Sequence, residues 1–123
     1  MREVIQSKLN ELTNIESGKI VPDDIIVENI TYFGYDLSRN YINSDLEKNR
    51  TYRENITGYV TRLLDTTENT QEIVDNAVED IISKLKELNF KCNSRDINLS
   101  DNIIKVQILG YSDYNEINNK FII

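Results

Sequence analysis

Histidine and tryptophan are absent from this sequence, and cysteine, proline and methionine occur once each. Without histidine there is neither the usual general base near neutral pH nor the commonest metal ligand. Ser-His-Asp and Cys-His arrangements are excluded outright. A single thiol, Cys92, cannot close an internal disulfide, so the fold does not depend on oxidation. The glycines, Gly18, Gly34, Gly58 and Gly110, are isolated from one another and form no phosphate-cradling loop. No stretch approaches the roughly 20 apolar residues of a membrane-spanning helix. No Pro-rich or Gly/Ser-rich linker divides the chain, and no internal repeat is visible. The opening MREVIQSKLNEL mixes charged and apolar groups, unlike a secretory leader, so an intracellular protein is expected.

What remains is globular material. The 123 residues suit one domain with its own core, and 39% hydrophobic with 28% charged residues is an ordinary globular balance. The formal net charge is -7. Nucleic-acid affinity draws on Lys and Arg neutralising phosphates, so sequence-specific binding of DNA or RNA is not expected. An anionic membrane is disfavoured for the same reason. An acidic surface beside DNA repels it, which suits a channel through which DNA slides without sticking.

The hydrophobic spacing predicts a helix over residues 2–12, with Val4, Ile5, Leu9 and Leu12 on one side. Gly18 and Pro22 mark a connection. Residues 25–37 change to a period of two, with large apolar groups on both faces, which predicts a strand covered on both sides. Residues 38–51 are polar and rich in Asn, Asp and Ser, as in a long hairpin loop. A second strand is predicted over 52–64. The clearest element is a helix over 70–89, where Ile73, Val74, Ala77, Val78, Ile81, Ile82, Leu85 and Leu88 trace one stripe. Asn69 followed by Glu72 is a capping-box pattern. A short strand over 96–99 and a longer one over 103–111 follow, the latter with Ile104, Val106 and Ile108 on one face. Residues 112–123 read as a polar segment ending in an apolar tail, which either packs on its own chain or reaches a neighbour as a C-terminal arm. The sum is an α+β fold in two layers. A mainly antiparallel sheet with a long hairpin is packed by an N-terminal helix and one long amphipathic helix.

Candidate chemistry is sparse. Asp23 and Asp24 follow Pro22 at a turn and read as solvated. Glu79 and Asp80 fall opposite the apolar stripe. Asp36 inside a strand fits an edge position. Cys92 beside Lys91 lacks a local base and reads as a half-buried thiol at a helix end. Tyr32, Phe33, Tyr35, Tyr41, Tyr52 and Tyr59 offer aromatic surface near Arg39, Lys48, Arg50 and Arg53. Asp36, Asp45, Glu47 and Glu54 offset those charges, so a protein interface is favoured over base stacking. No catalytic, cofactor or metal residue is expected, and the chain is not read as an enzyme.

The segments ITYFGYDLSRNYINSDLEKNRTYRENITGYVTRLLD, QEIVDNAVEDIISKLKELNFKC and NIIKVQILGYSDYNE together resemble the tail terminator (tail completion) proteins of phages and phage-like particles of Gram-positive bacteria. The resemblance covers residues 30–116 in order, length and local phrasing. It implies an α+β subunit of a homo-hexameric ring at the head-proximal end of the tail tube. There it would contact the tube protein, the neck or head-completion proteins and, in a contractile particle, the sheath. Assembly would take place in the bacterial cytoplasm. The residues assigned to subunit or tube contact are Arg39, Tyr41, Asp45, Lys48, Arg50, Tyr52, Tyr111, Tyr114 and Phe121. A head-tail stopper or adaptor ring is one alternative. A small acidic regulatory protein that masks a basic partner is another, of a different class.

Overall fold

The computed structural model describes residues 2–22, 25–43, 51–97, 102–115 and 120–122. In chain order the elements are α1 (Arg2–Leu9), β1 (Ile15–Gly18), β2 (Thr31–Asn43), β3 (Thr51–Leu63), α2 (Thr70–Lys86), β4 (Lys91–Ile97), β5 (Ile103–Asn115) and β6 (Lys120–Ile122). They form an α+β fold with one six-stranded sheet in the order β1-β2-β3-β5-β4, and β6 pairs with β5. Among the described residues only the β1–β2 pair is parallel. Among the described residues no helix is long and apolar enough to cross a membrane.

The core lies on one face of the sheet. Phe33 and Tyr35 of β2, Ile56 and Val60 of β3, and Val106 and Ile108 of β5 bury themselves against Val74, Ala77, Val78, Ile81 and Leu85 of α2 and Ile5 and Leu9 of α1. Each fully buried aliphatic side chain of that size stabilises the fold by about 1.5–3 kcal/mol relative to exposure. The α2 stripe is therefore the main lock on the sheet. The Asn69 N-cap is present, since Asn69 Oδ1 accepts from the Glu72 amide at 3.2 Å, but the reciprocal half of the expected capping box is replaced by a side-chain bond in which Asn69 Nδ2 donates to Glu72 Oε2 at 3.2 Å. Glu79 and Asp80 are exposed on the opposite side, as expected.

Several sequence expectations need correction. Helix α1 stops at Leu9 instead of residue 12, because the chain tightens into a turn in which the Leu12 amide donates to the Leu9 carbonyl at 2.9 Å. That turn feeds β1, a strand of four residues that is too short to carry a readable period. Residues 25–30 are not strand. Ile25 and Val27 are exposed, and Asn29 takes a positive φ of 62° before β2 starts at Thr31. At the other end, β2 runs on to Asn43 through part of the polar stretch read as loop. Polar residues persist in the strand because cross-strand partners satisfy them: Asn55 Nδ2 donates to Asn40 Oδ1 at 2.7 Å. The rest of the predicted loop, residues 44–50, lies outside the described residues.

Helix α2 ends at Lys86, three residues before the expected end. Asn89 adopts the left-handed conformation (φ 62°), and the Phe90 amide donates back to the Leu85 carbonyl at 3.0 Å, which stops the helix and buries Phe90. Cys92 accordingly sits in β4, not at a helix end. The strand expected over 96–99 is β4, displaced to Lys91–Ile97. Its polar composition hid it, since an edge strand draws on ladder hydrogen bonds more than on buried side chains. Strand β5 extends to Asn115, past the expected residue 111, and β6 folds back on it with Tyr114 in register with Phe121.

Two glycines are set by close approach. The connection after β1 passes over Gly34, where a Cβ would stand 2.9 Å from Ile20 Cα. On the core side, a Cβ at Gly58 would stand 2.4 Å from Phe33 Cε1. Gly58→Ala should therefore destabilise the fold by about 1–3 kcal/mol, seen as a lower urea midpoint at unchanged slope, because the Phe33 ring has no free volume to enter.

Candidate assembly interface

Strand alternation divides the hairpin residues between two surfaces. On the helix side, beyond the main core, Arg39 is the register partner of Glu54, and Tyr41 that of Tyr52. The Arg39 guanidinium lies 4.0 Å from the Tyr52 ring centroid and donates to Glu54 Oε1 at 3.3 Å. Tyr41 meets Tyr52 edge-on at 6.0 Å. Tyr52 and Glu54 are each 4% exposed, whereas Tyr41 is 59% exposed. A shelf results, with a buried carboxylate and ring beneath and a cation and a tyrosine above. Burial is the largest single influence and opposes the charge on Arg39, but the hydrogen bond it donates to Glu54, together with the charge of Glu54 and the nearby Tyr52 and Tyr41, raises the guanidinium pKa overall.

The opposite face of the sheet is dressed differently. Arg53 grips Asp113 with two bonds, Nε to Oδ1 at 2.8 Å and a terminal nitrogen to Oδ2 at 3.3 Å. The same guanidinium covers the Tyr111 ring at 4.1 Å, with Lys91 Nζ at 5.8 Å. Next to them, Arg95 Nε donates to Gln107 Oε1 at 2.8 Å, and Gln107 donates to Tyr59 Oη at 3.3 Å. Lys105 Nζ sits 4.7 Å from the Tyr59 centroid. Leu109 stands exposed among them. The chain from β1 to β2 covers one end of this face near Gly34, where Tyr32 Oη donates to the Lys19 carbonyl. The cations here are paired with carboxylate, amide or ring partners, an arrangement suited to protein contact more than to phosphate.

The structure thus divides the residues assigned from sequence. Arg39, Tyr41 and Tyr52 come together on the helix side. Tyr111 lies on the opposite face. Tyr114 is the register partner of both Tyr52 and Phe121. Asp45, Lys48 and Arg50 lie outside the described residues. Sequence reasoning missed Glu54, Arg95, Gln107 and Asp113 as members of these surfaces. The polar positions of β3 and β5 were visible, but which of them meet is a matter of register between strands distant in sequence.

Asp36 lies two residues past Gly34, the last residue of β2 that β1 covers, and it is exposed beside Arg2 at 3.9 Å. That is the strand edge expected for it. Among the described residues no group of three or more His, Cys, Asp or Glu side chains is placed to hold a metal. A shallow cleft of about 440 Å³ is lined by Lys86, Phe90, Lys91, Cys92, Tyr111 and Asp113 among others. Burial pushes the Cys92 thiol up to about 11, against the opposing charge of Lys86. No protein-family model matches this chain, and no curated protein is recognisably similar to it.

Two outcomes follow from this geometry. Arg39→Ala should cost about 1–2 kcal/mol in urea unfolding, since it strips a charge-assisted bond from a nearly buried Glu54 carboxylate. Cys92 should alkylate with iodoacetamide at pH 8 about 100-fold more slowly than a thiol of ordinary pKa, because the thiolate is the reactive form. Its rate should rise about tenfold per pH unit up to about pH 10.

Proposed function

We propose that this chain is a structural subunit of a phage or phage-like tail, a terminator whose copies close into a homo-hexameric ring on the head-proximal end of the tail tube. The observation that carries the reading is the outer face of the sheet. One face is sealed by helices, whereas the other bears a row of tyrosines capped by paired cations, with Leu109 exposed between them. Tyr and Arg are enriched at protein interfaces, and such a face works by shape and contact. The hairpin β2–β3 adds the Arg39–Tyr41–Tyr52 shelf beyond the core. The resemblance in residues 30–116 supplies the kind of assembly, and the net charge of -7 suits a ring around passing DNA.

In this reading tube and neighbouring subunits meet the shelf and the outer sheet face. Neck or head-completion proteins, and the sheath where one is present, meet the other side of the ring. The purified full chain should elute as an oligomer of six copies by size exclusion with light scattering, and should block further polymerisation of purified tail-tube protein. A monomer that leaves tube growth unchanged overturns the proposal.

A further inference from the structure

Among the described residues, two edges of the sheet have no strand beside them. β1 pairs with β2 only at Thr31, Tyr32, Phe33 and Gly34, and Arg2 donates to the Tyr35 carbonyl at 3.0 Å, so residues 36–43 of β2 have no strand on that side among the described residues. β4 pairs with β5 on one side only. Open edges present ladder donors and acceptors outward, and natural proteins usually blunt or cover them.

We propose that these two edges are made for each other across copies: β4 of one copy pairs antiparallel with residues 36–42 of β2 in the next. The proposal deepens the ring reading above and rests on its self-assembly. Direction supports it first. From β2 through β3 and β5 to β4 every neighbouring pair is antiparallel, so β4 runs opposite to β2. A second copy set beside β4, with its helices on the same side as the first, therefore presents β2 in antiparallel sense. The sheet continues without inverting either layer.

Length and register agree. β4 has seven residues, and residues 36–42 are the same number, beginning two residues beyond Gly34, where the β1 of that copy ends. Placing Ile97 opposite Asp36 and Lys91 opposite Ile42 keeps helix-side residues on the helix side throughout. Charge then falls into place. Arg95 comes opposite Ser38 and diagonal to Asp36, while Asp96 comes opposite Leu37 and diagonal to Arg39. Both diagonals join opposite signs. Pairing β4 with its own copy would instead put Lys91 and Arg95 of both chains on one face. Charges on an edge ordinarily discourage pairing, whereas here each edge carries the complement of the other. Because the two edges differ, the contact is heterologous: each added copy leaves one edge of each kind, until a ring closes.

The test uses the full chain carrying Cys92→Ser, with Asn40→Cys and Asn93→Cys, which this register sets opposite each other. Mild oxidation should give a non-reducing gel ladder extending past the dimer and collapsing on reduction. Asn40→Cys or Asn93→Cys alone should give no ladder. A dimer from Asn93→Cys alone would mean β4 pairs with itself and overturns the proposal. Where no ladder forms, the variant Arg95→Glu with Asp96→Lys decides. Assembly at wild-type strength by light scattering overturns the contact, whereas at least tenfold weaker assembly, with unchanged circular dichroism, supports the same edges in a shifted register. A wild-type chain that is monomeric removes the ring reading as well; a wild-type ring that resists both tests removes only this contact.

Discussion

The apolar stripe of α2 pressed against β3 and β5 is the contact on which the remaining architecture depends. Val74, Ala77, Val78, Ile81 and Leu85 meet Ile56, Val60, Val106 and Ile108, and α1 closes the flank with Ile5 and Leu9. Because both helices lie on one face, every strand inherits an inner and an outer set of residues. Gly58 illustrates how tightly the inner set is fitted, with the Phe33 ring occupying the space a side chain would need. The outer set is then free to be polar and aromatic at once, as Arg53, Tyr59, Gln107 and Tyr111 are.

That one-sided burial also explains where charged groups settle. Glu54 belongs to the inner set but lies past the end of the helical cover. It is buried with Arg39 and Tyr52 as its company and stands outside the apolar core. Arg62 makes the corresponding arrangement at the other end of β3, donating to both carboxylate oxygens of Glu68 and to Thr31 Oγ1. The two buried charges on the inner face of β3, Glu54 and Arg62, thus sit at opposite ends of the strand, each paired, as burial of charge requires. A sheet so constructed has one side closed by helices, while its other side and two of its strand edges carry no helix or strand among the described residues.

Much of the fold was legible before the structure. α2, its asparagine cap and the α+β layering follow from helical spacing and local capping chemistry, which are properties of neighbouring residues. Elements with weak local signals were not legible. β1 is too short, β4 is too polar, and the far half of β2 looks like loop because its side chains are satisfied across the strand by Asn55 and Glu54. Of the residues on the two candidate surfaces, Arg39, Tyr41, Tyr52 and Tyr111 were singled out by residue type alone. Their division between two faces depends on parity within strands whose start points the sequence misplaced.

By itself the sequence determined the absence of histidine chemistry, the acidic balance, one amphipathic helix and the aromatic character of the hairpin, because each is written in composition or in spacing within a single element. Only the tertiary structure decided that Arg53 meets Asp113, that Arg95 reaches Tyr59 through Gln107, and that β2 and β4 end as open edges. Those facts arise from strand order and register, which are set by how distant segments share one face of α2, and no local stretch of chain encodes them.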